Sequence, residues 1–470
     1  MANQRGVEEV GMLRRLRMTV GKMRTGEAPA PLMILLPFQR FLQTEASGGI
    51  LLLAATALAL ILANSPLAGL YNETLHTEIA VSIGGAHVAE SVLGWINEGL
   101  MALFFLVVGL EIKREVVVGD LRSPKRAALS LVAAIGGALV PAAIYIALNA
   151  GGPGSRGWGI PIGTDTAFTL GVLALLGRGI PSGLRAFLAS FAIVDDVVAI
   201  LVISIAYTSH ISWVALAVVA GCFALLMLAN FLGIRRLAVY ALLGVTLWLA
   251  MLSSGVHATV AGILVALTIP VRSRIDSSDF VRRARAYLDA FAASRYSGLR
   301  MLTNEEQQAA LEALADSAEQ FMVPLQRVES ALHPWVAYLI VPIFALANAG
   351  IALNEGFAKS LTQPVTLGVL LGLLVGKPVG VFVSTWIAAR TRIAVLPEAV
   401  TWRHMFGAAF LGGIGFTMSL FITDLAFGSG AFIIQAKVGI LLGSLVAGVI
   451  GWLILRNTTR TANSGASEPI

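Results

Sequence analysis

The sequence predicts an all-α polytopic membrane protein of about 12 transmembrane helices, two of them interrupted, with a small extramembrane β-hairpin. Three observations predict this class. Hydrophobic residues make up 57% of the chain and charged residues 13%, roughly half the charged share of a soluble domain. Apolar runs of about 20 residues, the length that a helix needs to cross a bilayer, recur along the chain. Three acids and one lysine lie near the middle of these runs, where ionisable residues are rare and usually functional.

The predicted spans follow the apolar runs in chain order. They cover roughly 47–65, 94–112, 126–149, 157–176, 184–207, 211–232, 237–254, 256–272, 335–352, 366–388, 403–424 and 436–455. The remaining segments are polar. They are a basic N-terminal extension (1–45), a charged cytoplasmic loop with one or two surface helices (273–334) and a C-terminal tail (457–470), so that the membrane domain comprises 46–272 and 335–456.

Basic residues are distributed unequally among the loops between these spans. If the N-terminus is cytoplasmic, alternate loops hold Arg14, Arg15, Arg17, Lys113, Arg114, Lys125, Arg126, Arg235, Arg236, Arg282, Arg283, Arg390 and Arg392. The opposite loops hold little more than Arg156, Lys359 and Lys437. Cytoplasmic loops carry the excess of Lys and Arg, so both termini are predicted to be cytoplasmic. The net charge of +6 then reflects orientation, and no nucleic-acid partner is expected.

Residues 76–90 are predicted to form a β-hairpin between the first two spans. Their sequence, HTEIAVSIGGAHVAE, alternates partly between apolar and polar residues around Gly84-Gly85, a recognised hairpin signal. A lone hairpin is only marginally stable in water. We therefore expect it to pair with a strand of a second subunit, in a homodimer.

Two of the spans are interrupted by helix-breaking residues. The fourth contains Pro161 and Gly163 just before Asp165, and the eleventh contains Gly412, Gly413 and Gly415 in GGIG. Unwound backbone at membrane depth is tolerated only inside protein or along a cavity. Paired interruptions in two halves of a chain indicate an inverted-repeat transporter, with spans three to five and ten to twelve as the repeats.

The buried charges predict an ion or proton path. Asp195 and Asp196 are adjacent in the fifth span, so their side chains point about 100° apart and can still border one cavity. Two close carboxylates release their protons as a coupled pair. Their oxygens, with the Thr164 hydroxyl and freed carbonyls, are ligands that Na⁺ or Li⁺ prefers. Asp165 is predicted to face the positive N-terminal end of a half-helix.

Lys377, in Gly376-Lys377-Pro378, is predicted to face negative helix C-termini or to pair with a carboxylate. The simpler alternative is that these charges form salt bridges without a transport role. His257 is a candidate pH sensor or a packing residue. Glu111 and Glu115, at the end of the second span, are either solvated or functional.

Other functions remain open at this point. A proton- or sodium-coupled symporter of a small organic solute would also use membrane carboxylates, but no aromatic or amide groups stand beside these acids in the sequence. An intramembrane aspartyl protease would need a GxGD tetrapeptide, which the sequence lacks. Cys222 is the only cysteine, so an internal disulfide and a cysteine-based metal cluster are excluded.

Seven runs of the sequence resemble the NhaA sodium/proton antiporter family. They are FFLVVGLEIKRE (104–115), TDTAFTLGVLALLG (164–177), AIVDDVVAI (192–200), SGVHATVAG (254–262), LHPWVAYLIVPIFALANAG (332–350), GKPVG (376–380) and GGIGFTMSLFI (412–422). The resemblance covers about 46–272 and 327–456 and includes every predicted span. This family is itself one of the known inverted-repeat transporters with paired helix interruptions. The interruptions and the motif resemblance are therefore not independent arguments.

The resemblance implies a multi-pass protein of the bacterial inner membrane, with twelve helices of which the fourth and eleventh cross where they are broken. It implies a transporter, without a cofactor, that expels Na⁺ or Li⁺ for a larger number of entering protons in pH and sodium homeostasis. The implied cation and proton ligands are Asp195, Asp196, Asp165 and Thr164, with Lys377 compensating charge.

The resemblance also links Glu111, Glu115, His257 and Glu329 to the pH response, and the hairpin to dimerisation. Glu98 is a departure from the family pattern, where an aspartate is expected at the cytoplasmic entrance. The long N-terminus and the long 273–326 insertion are further departures.

Overall fold

The computed structural model describes residues 46–465, except 84–85, 209–210, 272–275, 294–304, 354 and 429. The predicted N-terminal extension, 1–45, lies outside the described residues. The described residues from Gly48 onwards, and so every element below apart from the first two residues of the first helix, belong to one compact unit.

The described helices are numbered here in chain order. They are α1 (Ala46–Ala63), α2 (Ala68–His76), α3 (Val92–Val117), α4 (Pro124–Asn149), α5 (Thr166–Leu175), α6 (Ser182–Ala206), α7 (Trp213–Phe231), α8 (Leu237–Leu252), α9 (Val260–Thr268), α10 (Ser277–Ala293), α11 (Glu305–Phe321), α12 (Pro324–Asn348), α13 (Glu355–Ser360), α14 (Pro364–Arg390), α15 (Trp402–Gly412), α16 (Phe416–Phe427) and α17 (Ala431–Gly465). A 3₁₀ segment, Pro153–Ile162, precedes α5. Helices α3, α12 and α14 each contain one π-helical stretch.

Seven of the described helices are long and apolar enough to cross a membrane, and up to ten spans result if each of three bent pairs is one span. The bent pairs are α1 with α2, the 3₁₀ segment with α5, and α15 with α16, at 111°, 43° and 40°. Helices α8 and α9 coincide with two more predicted spans but have only 16 and 9 residues. The chain is a helical polytopic membrane protein, as predicted, while the count of twelve spans stays a prediction.

Two boundaries differ from those predicted. Helix α12 begins at Pro324, ahead of the predicted span 335–352, because Leu325 is buried and its amide donates to the Pro270 carbonyl at 3.2 Å. The charged loop is correspondingly shorter, and it contains α10 and α11, joined by stacked Phe280 and Phe321 rings 4.7 Å apart. Helix α17 continues through Gly465 into the predicted tail.

The predicted β-hairpin corresponds to two antiparallel strands, β1 (Glu78–Ile83) and β2 (Ala86–Ser91). Glu78 pairs with Ser91 and Ile83 with Ala86. The predicted turn residues, Gly84-Gly85, lie outside the described residues. The Trp95 indole donates to the Ile79 carbonyl at 3.0 Å and ties β1 to α3.

Helices α4 and α14 pack closely enough to need glycine at their contact. A methyl group at Gly136 would lie 2.5 Å from the Gly380 carbonyl oxygen, too close for a real contact. In membranes such small residues let helix backbones approach and pack. Gly137 lies beside Lys377, with 3.5 Å between an added methyl group and the lysine chain. The close contact therefore fixes the depth and direction of the Lys377 side chain.

We predict that Gly380→Ala destabilises the protein, because its new methyl group would collide with the Gly136 carbonyl. Overpacking of this kind costs about 1–3 kcal/mol. The thermal unfolding of the detergent-solubilised protein measures it. Gly221→Ala on α7 is the matched control, since no atom lies within 4 Å of its new methyl group. Equal midpoints for both variants would contradict the close α4–α14 contact.

Candidate functional site

The two predicted helix breaks lie against each other and are joined by hydrogen bonds. The Thr164 hydroxyl donates to the Gly412 carbonyl at 2.7 Å. The Asp165 amide donates to the Ile414 carbonyl at 2.6 Å. Each break thus supplies hydrogen-bond partners for main-chain groups of the other break that lack helical hydrogen bonds. Unwound backbone is tolerated at membrane depth only when its polar groups are satisfied in this way.

Glycine is required where the two breaks meet. A methyl group at Gly163 would lie 2.8 Å from Cβ of Met418, and one at Gly413 would lie 2.5 Å from the Leu373 carbonyl oxygen. Gly412 and Gly415 complete the second break, between the end of α15 and the start of α16. The four glycines named from the sequence are therefore at the interruptions.

Asp165 caps two helices at once. Its Oδ1 accepts from the Phe168 amide of α5 at 2.9 Å. Its Oδ2 accepts from the amide and the hydroxyl of Thr417 at the start of α16, at 3.0 and 2.6 Å. Helix N-termini carry partial positive charge, so this buried carboxylate has both hydrogen-bond donors and two favourable dipole ends.

Lys377 pairs with Asp195. Its Nζ lies 2.7 Å from both carboxylate oxygens and also donates to the Ile162 carbonyl, at the C-terminal end of the 3₁₀ segment. Both side chains have no exposed surface, and Nζ lies 5.8 Å from the centre of the Phe191 ring. The amine therefore neutralises Asp195 in place and also meets a negative helix end.

Asp196 is the carboxylate without such compensation. It follows Asp195 in α6 and is 2% exposed. Its Oδ2 accepts from the Thr166 hydroxyl at 3.3 Å, and among the described residues its Oδ1 has no hydrogen-bond partner. A buried, unpaired carboxylate is costly when ionised. Its oxygens are open to a proton or to a small cation.

The described residues contain no group of three or more His, Cys, Asp or Glu side chains that could hold a resident metal ion. A small hard cation needs only oxygen ligands. Among the described residues, Asp196 has one carboxylate oxygen without a hydrogen-bond partner, next to the Thr166 hydroxyl, whereas Asp165 and Asp195 are already bonded.

Three of the residues named for a pH response lie together. Arg114 forms an ion pair with Glu329 and lies 3.6 Å from Glu115. His333, which the sequence analysis did not single out, lies 3.8 Å from Glu111. Glu329 is 7% exposed, and its second oxygen has no hydrogen-bond partner among the described residues. This cluster joins the end of α3 to the start of α12.

His257 lies elsewhere, 3.6 Å from Glu98. Its other ring nitrogen is 3.1 Å from the Tyr207 carbonyl oxygen. Glu98 and Glu111 are near opposite ends of α3, so they cannot both be at the cytoplasmic end of that helix. In the orientation that the basic residues predict, the second span runs inwards towards Glu111 and Glu98 is at its outer end, so that orientation and the expected place of Glu98 at the cytoplasmic entrance do not agree, and both stay predictions.

Sequence reasoning missed Thr166 and Thr417, which bond to Asp196 and Asp165. Both occupy the first turn of a half-helix directly after a break. Their position after Asp165 and after Gly415 was the available signal, because hydroxyl side chains are favoured at helix starts.

Comparison with known proteins places this geometry in a family. The family model described as Na⁺/H⁺ antiporter 1 matches residues 39–455. The Na⁺/H⁺ antiporter NhaA of Oleidesulfovibrio alaskensis is 46% identical over 92% of this chain and 96% of its own length. The one from Koribacter versatilis is 46% identical over 92% and 93%, and that from Pseudomonas putida is 44% identical over 91% and 99%. The chain therefore belongs to the Na⁺/H⁺ antiporter 1 family, as its sequence motifs predict.

Proposed function

We propose that this protein exchanges sodium for protons, with Asp196 as the group at which the two ions compete. The names of its relatives support the activity. The observation that carries the site is the Asp196 Oδ1 atom, which is buried without a hydrogen-bond partner among the described residues. No comparable observation favours symport of an organic solute.

The balance of charge around the breaks supports Asp196 in this role. Asp165 is stabilised by two helix N-termini and Asp195 by Lys377. The third carboxylate, Asp196, then adds a negative charge that Lys377, already bonded to Asp195, does not fully offset. A mobile ion has to supply the missing positive charge before the site can be sealed from water.

The exchange cycle follows from this requirement. On the cytoplasmic side an ionised Asp196 binds a partly dehydrated Na⁺ or Li⁺. The neutralised site is carried to the outer side, where protons replace the cation, and the protonated site returns. Electrogenic exchange needs a second proton acceptor. The adjacent Asp195–Lys377 pair is the group placed to take it, because protonating Asp195 releases the amine.

The finer features of the fold belong to the same proposal. Helices α8 and α9 would complete twelve spans in two inverted repeats, with the broken pairs crossing at their midpoints. Both termini would be cytoplasmic, in a bacterial inner membrane. Strands β1 and β2 would mediate a homodimer, and the residues Glu111, Glu115, Glu329 and His257 would set the pH response.

We predict that Asp196→Asn abolishes exchange while the protein still inserts. The amide preserves size and polarity but cannot alternate between a charged and a neutral form. The measurement is collapse of a pH gradient in inside-out vesicles from antiporter-deficient cells on adding Na⁺ or Li⁺, with choline as the inactive salt. Asp279→Asn, an exposed carboxylate of α10, is the control and should keep full activity. Retained exchange in Asp196→Asn would remove this residue from the mechanism.

We predict that Lys377→Met lowers thermal stability and that adding Asp195→Asn restores much of it. Breaking a buried ion pair leaves one charge uncompensated, which costs about 3–5 kcal/mol, whereas a neutral replacement of both partners avoids that cost. Unfolding midpoints of the purified single and double variants measure the difference. A double variant no more stable than Lys377→Met would show that the pair is not what stabilises Asp195.

We predict that the apparent KM for Na⁺ rises as the pH falls, by about tenfold per pH unit if one proton competes. The KM rises in this direction because lowering the pH protonates Asp196 in a larger fraction of the molecules, so that fewer sites can bind Na⁺. A change of the rate at saturating Na⁺ with pH is a separate effect, which we assign to the pH-response residues. Glu329→Gln, at the α3–α12 cluster, should alter that saturating rate without changing the slope of KM against pH. A pH-independent KM would contradict competition at one site.

A further inference from the structure

A partly buried carboxylate, Asp424, lies on α16 beyond the candidate site. The Asn97 amide donates to Oδ2 of Asp424 at 2.9 Å. The amide of Asn348 donates to Asn97 Oδ1 at 2.8 Å, and both asparagines are 3% exposed. Helices α3, α12 and α16 therefore meet around a carboxylate inside the membrane domain. The exchange cycle described above does not use it.

Asp424 lies on the same face of α16 as the residue that binds Asp165. Thr417, whose hydroxyl donates to Asp165, precedes Asp424 by seven positions. Seven residues make about two helical turns and roughly 10.5 Å of rise. One stripe of α16 thus begins at the candidate site and ends, two turns away, at a second carboxylate.

An aromatic side chain separates the two carboxylates along this stripe. Phe421 lies between Thr417 and Asp424 and has no exposed surface. Its ring is 5.5 Å from that of Phe105 on α3 and 6.3 Å from that of Phe344 on α12. The three rings form an apolar block between the candidate site and Asp424.

The charges around Asp424 place it towards one face of the membrane. Asn97 of α3, which donates to Asp424, directly precedes Glu98, and His257 lies 3.6 Å from Glu98. Lys437 of α17 is a nearby basic residue. Glu98 lies at the end of α3 opposite Glu111, and this end is the outer one in the orientation that the basic residues predict. Two carboxylates therefore lie near this end of α3, where negative charge attracts cations.

The hydrogen bond from Asn97 does not by itself require a charge at position 424. The side-chain oxygen of an asparagine would accept that hydrogen bond equally well. Asp424 is the last residue of the predicted span 403–424 and is partly removed from water, and ionisable groups in membrane segments often mark ion pathways. A negatively charged side chain beyond Phe421 has a function if it attracts cations that pass it.

We propose that Asp424 is the outer-port carboxylate of the cation path, which binds Na⁺ transiently between the outside and the aromatic block of Phe421, Phe105 and Phe344. The inference rests on the exchange of sodium for protons proposed above. Asp424 then acts only in the binding and release of cations at the outer side. The ion site at Asp196 and access from the cytoplasm do not depend on it.

The first test is the kinetics of reconstituted protein of defined orientation. In Asp424→Asn, the KM for Na⁺ supplied at the outer face should rise about threefold to tenfold, the effect of removing one charge from a focusing cleft, while the KM at the cytoplasmic face stays unchanged. Because the equilibrium constant of exchange is fixed, the dependence on outer protons must shift by a compensating factor. Asp424→Glu should restore the outer KM, and Asp279→Asn should change neither.

The second test measures where Asp424 is accessible. The single cysteine, Cys222, allows a cysteine-free background with one substitution, Cys222→Ser. In this background, Asp424→Cys should react with a membrane-impermeant cationic thiosulfonate added outside. Thr417→Cys, behind Phe421, should not react in the same state.

The outcomes separate the two proposals. If the unsubstituted protein exchanges Na⁺ for H⁺ but Asp424→Asn changes the KM equally at both faces or at neither, the outer-port role is wrong and the exchange function stands. Labelling of Asp424→Cys only from the cytoplasm, or from neither face, also overturns it. If the unsubstituted protein shows no exchange, the proposed function fails first. Should Asp424→Asn not fold, Asp424→Ser is measured in the same assay.

Discussion

The bilayer interior contains no water that could hydrogen-bond to a carboxylate or to a main-chain carbonyl. This constraint means that the membrane domain itself has to supply the hydrogen-bond partners. At the two helix breaks, the constraint applies to both kinds of group at once. The Asp165 carboxylate meets this requirement by accepting hydrogen bonds from main-chain amides at the starts of both α5 and α16. The breaks are stable because each one satisfies the other, so neither could form in an isolated span.

The same constraint explains why the acids of α6 are unequal. Asp195 is paired with Lys377, which also donates to a helix end, so the charge of Asp195 is balanced in this state. Asp196 keeps one oxygen without a partner. Two neighbouring residues of identical chemistry thus differ because Lys377 of α14 is bonded to one of them, and the Gly136–Gly380 contact holds α14 close to α4.

The sequence could predict the class, the breaks and the buried charges, because each depends on local composition. Apolar length and ionisable residues inside it require no tertiary information. It could not predict that Asp165 caps a helix more than 250 residues away in sequence, nor which of Asp195 and Asp196 would receive Lys377. The start of α12 was also missed, because the segment from Pro324 is polar in sequence and is held by a contact to Pro270.

Helix α16 links two functions that sequence analysis treats separately. Its first turn is part of the candidate site through Thr417, and its last turns carry Asp424. Within the 12 residues of this helix, Thr417 and Asp424 lie about two turns apart on one face, with the buried Phe421 between them. Asn97 and Asn348 belong to α3 and α12, so their hydrogen bonds tie the end of α16 that carries Asp424 to two further helices. The same short helix therefore contacts the candidate site at one end and holds the proposed outer carboxylate at the other.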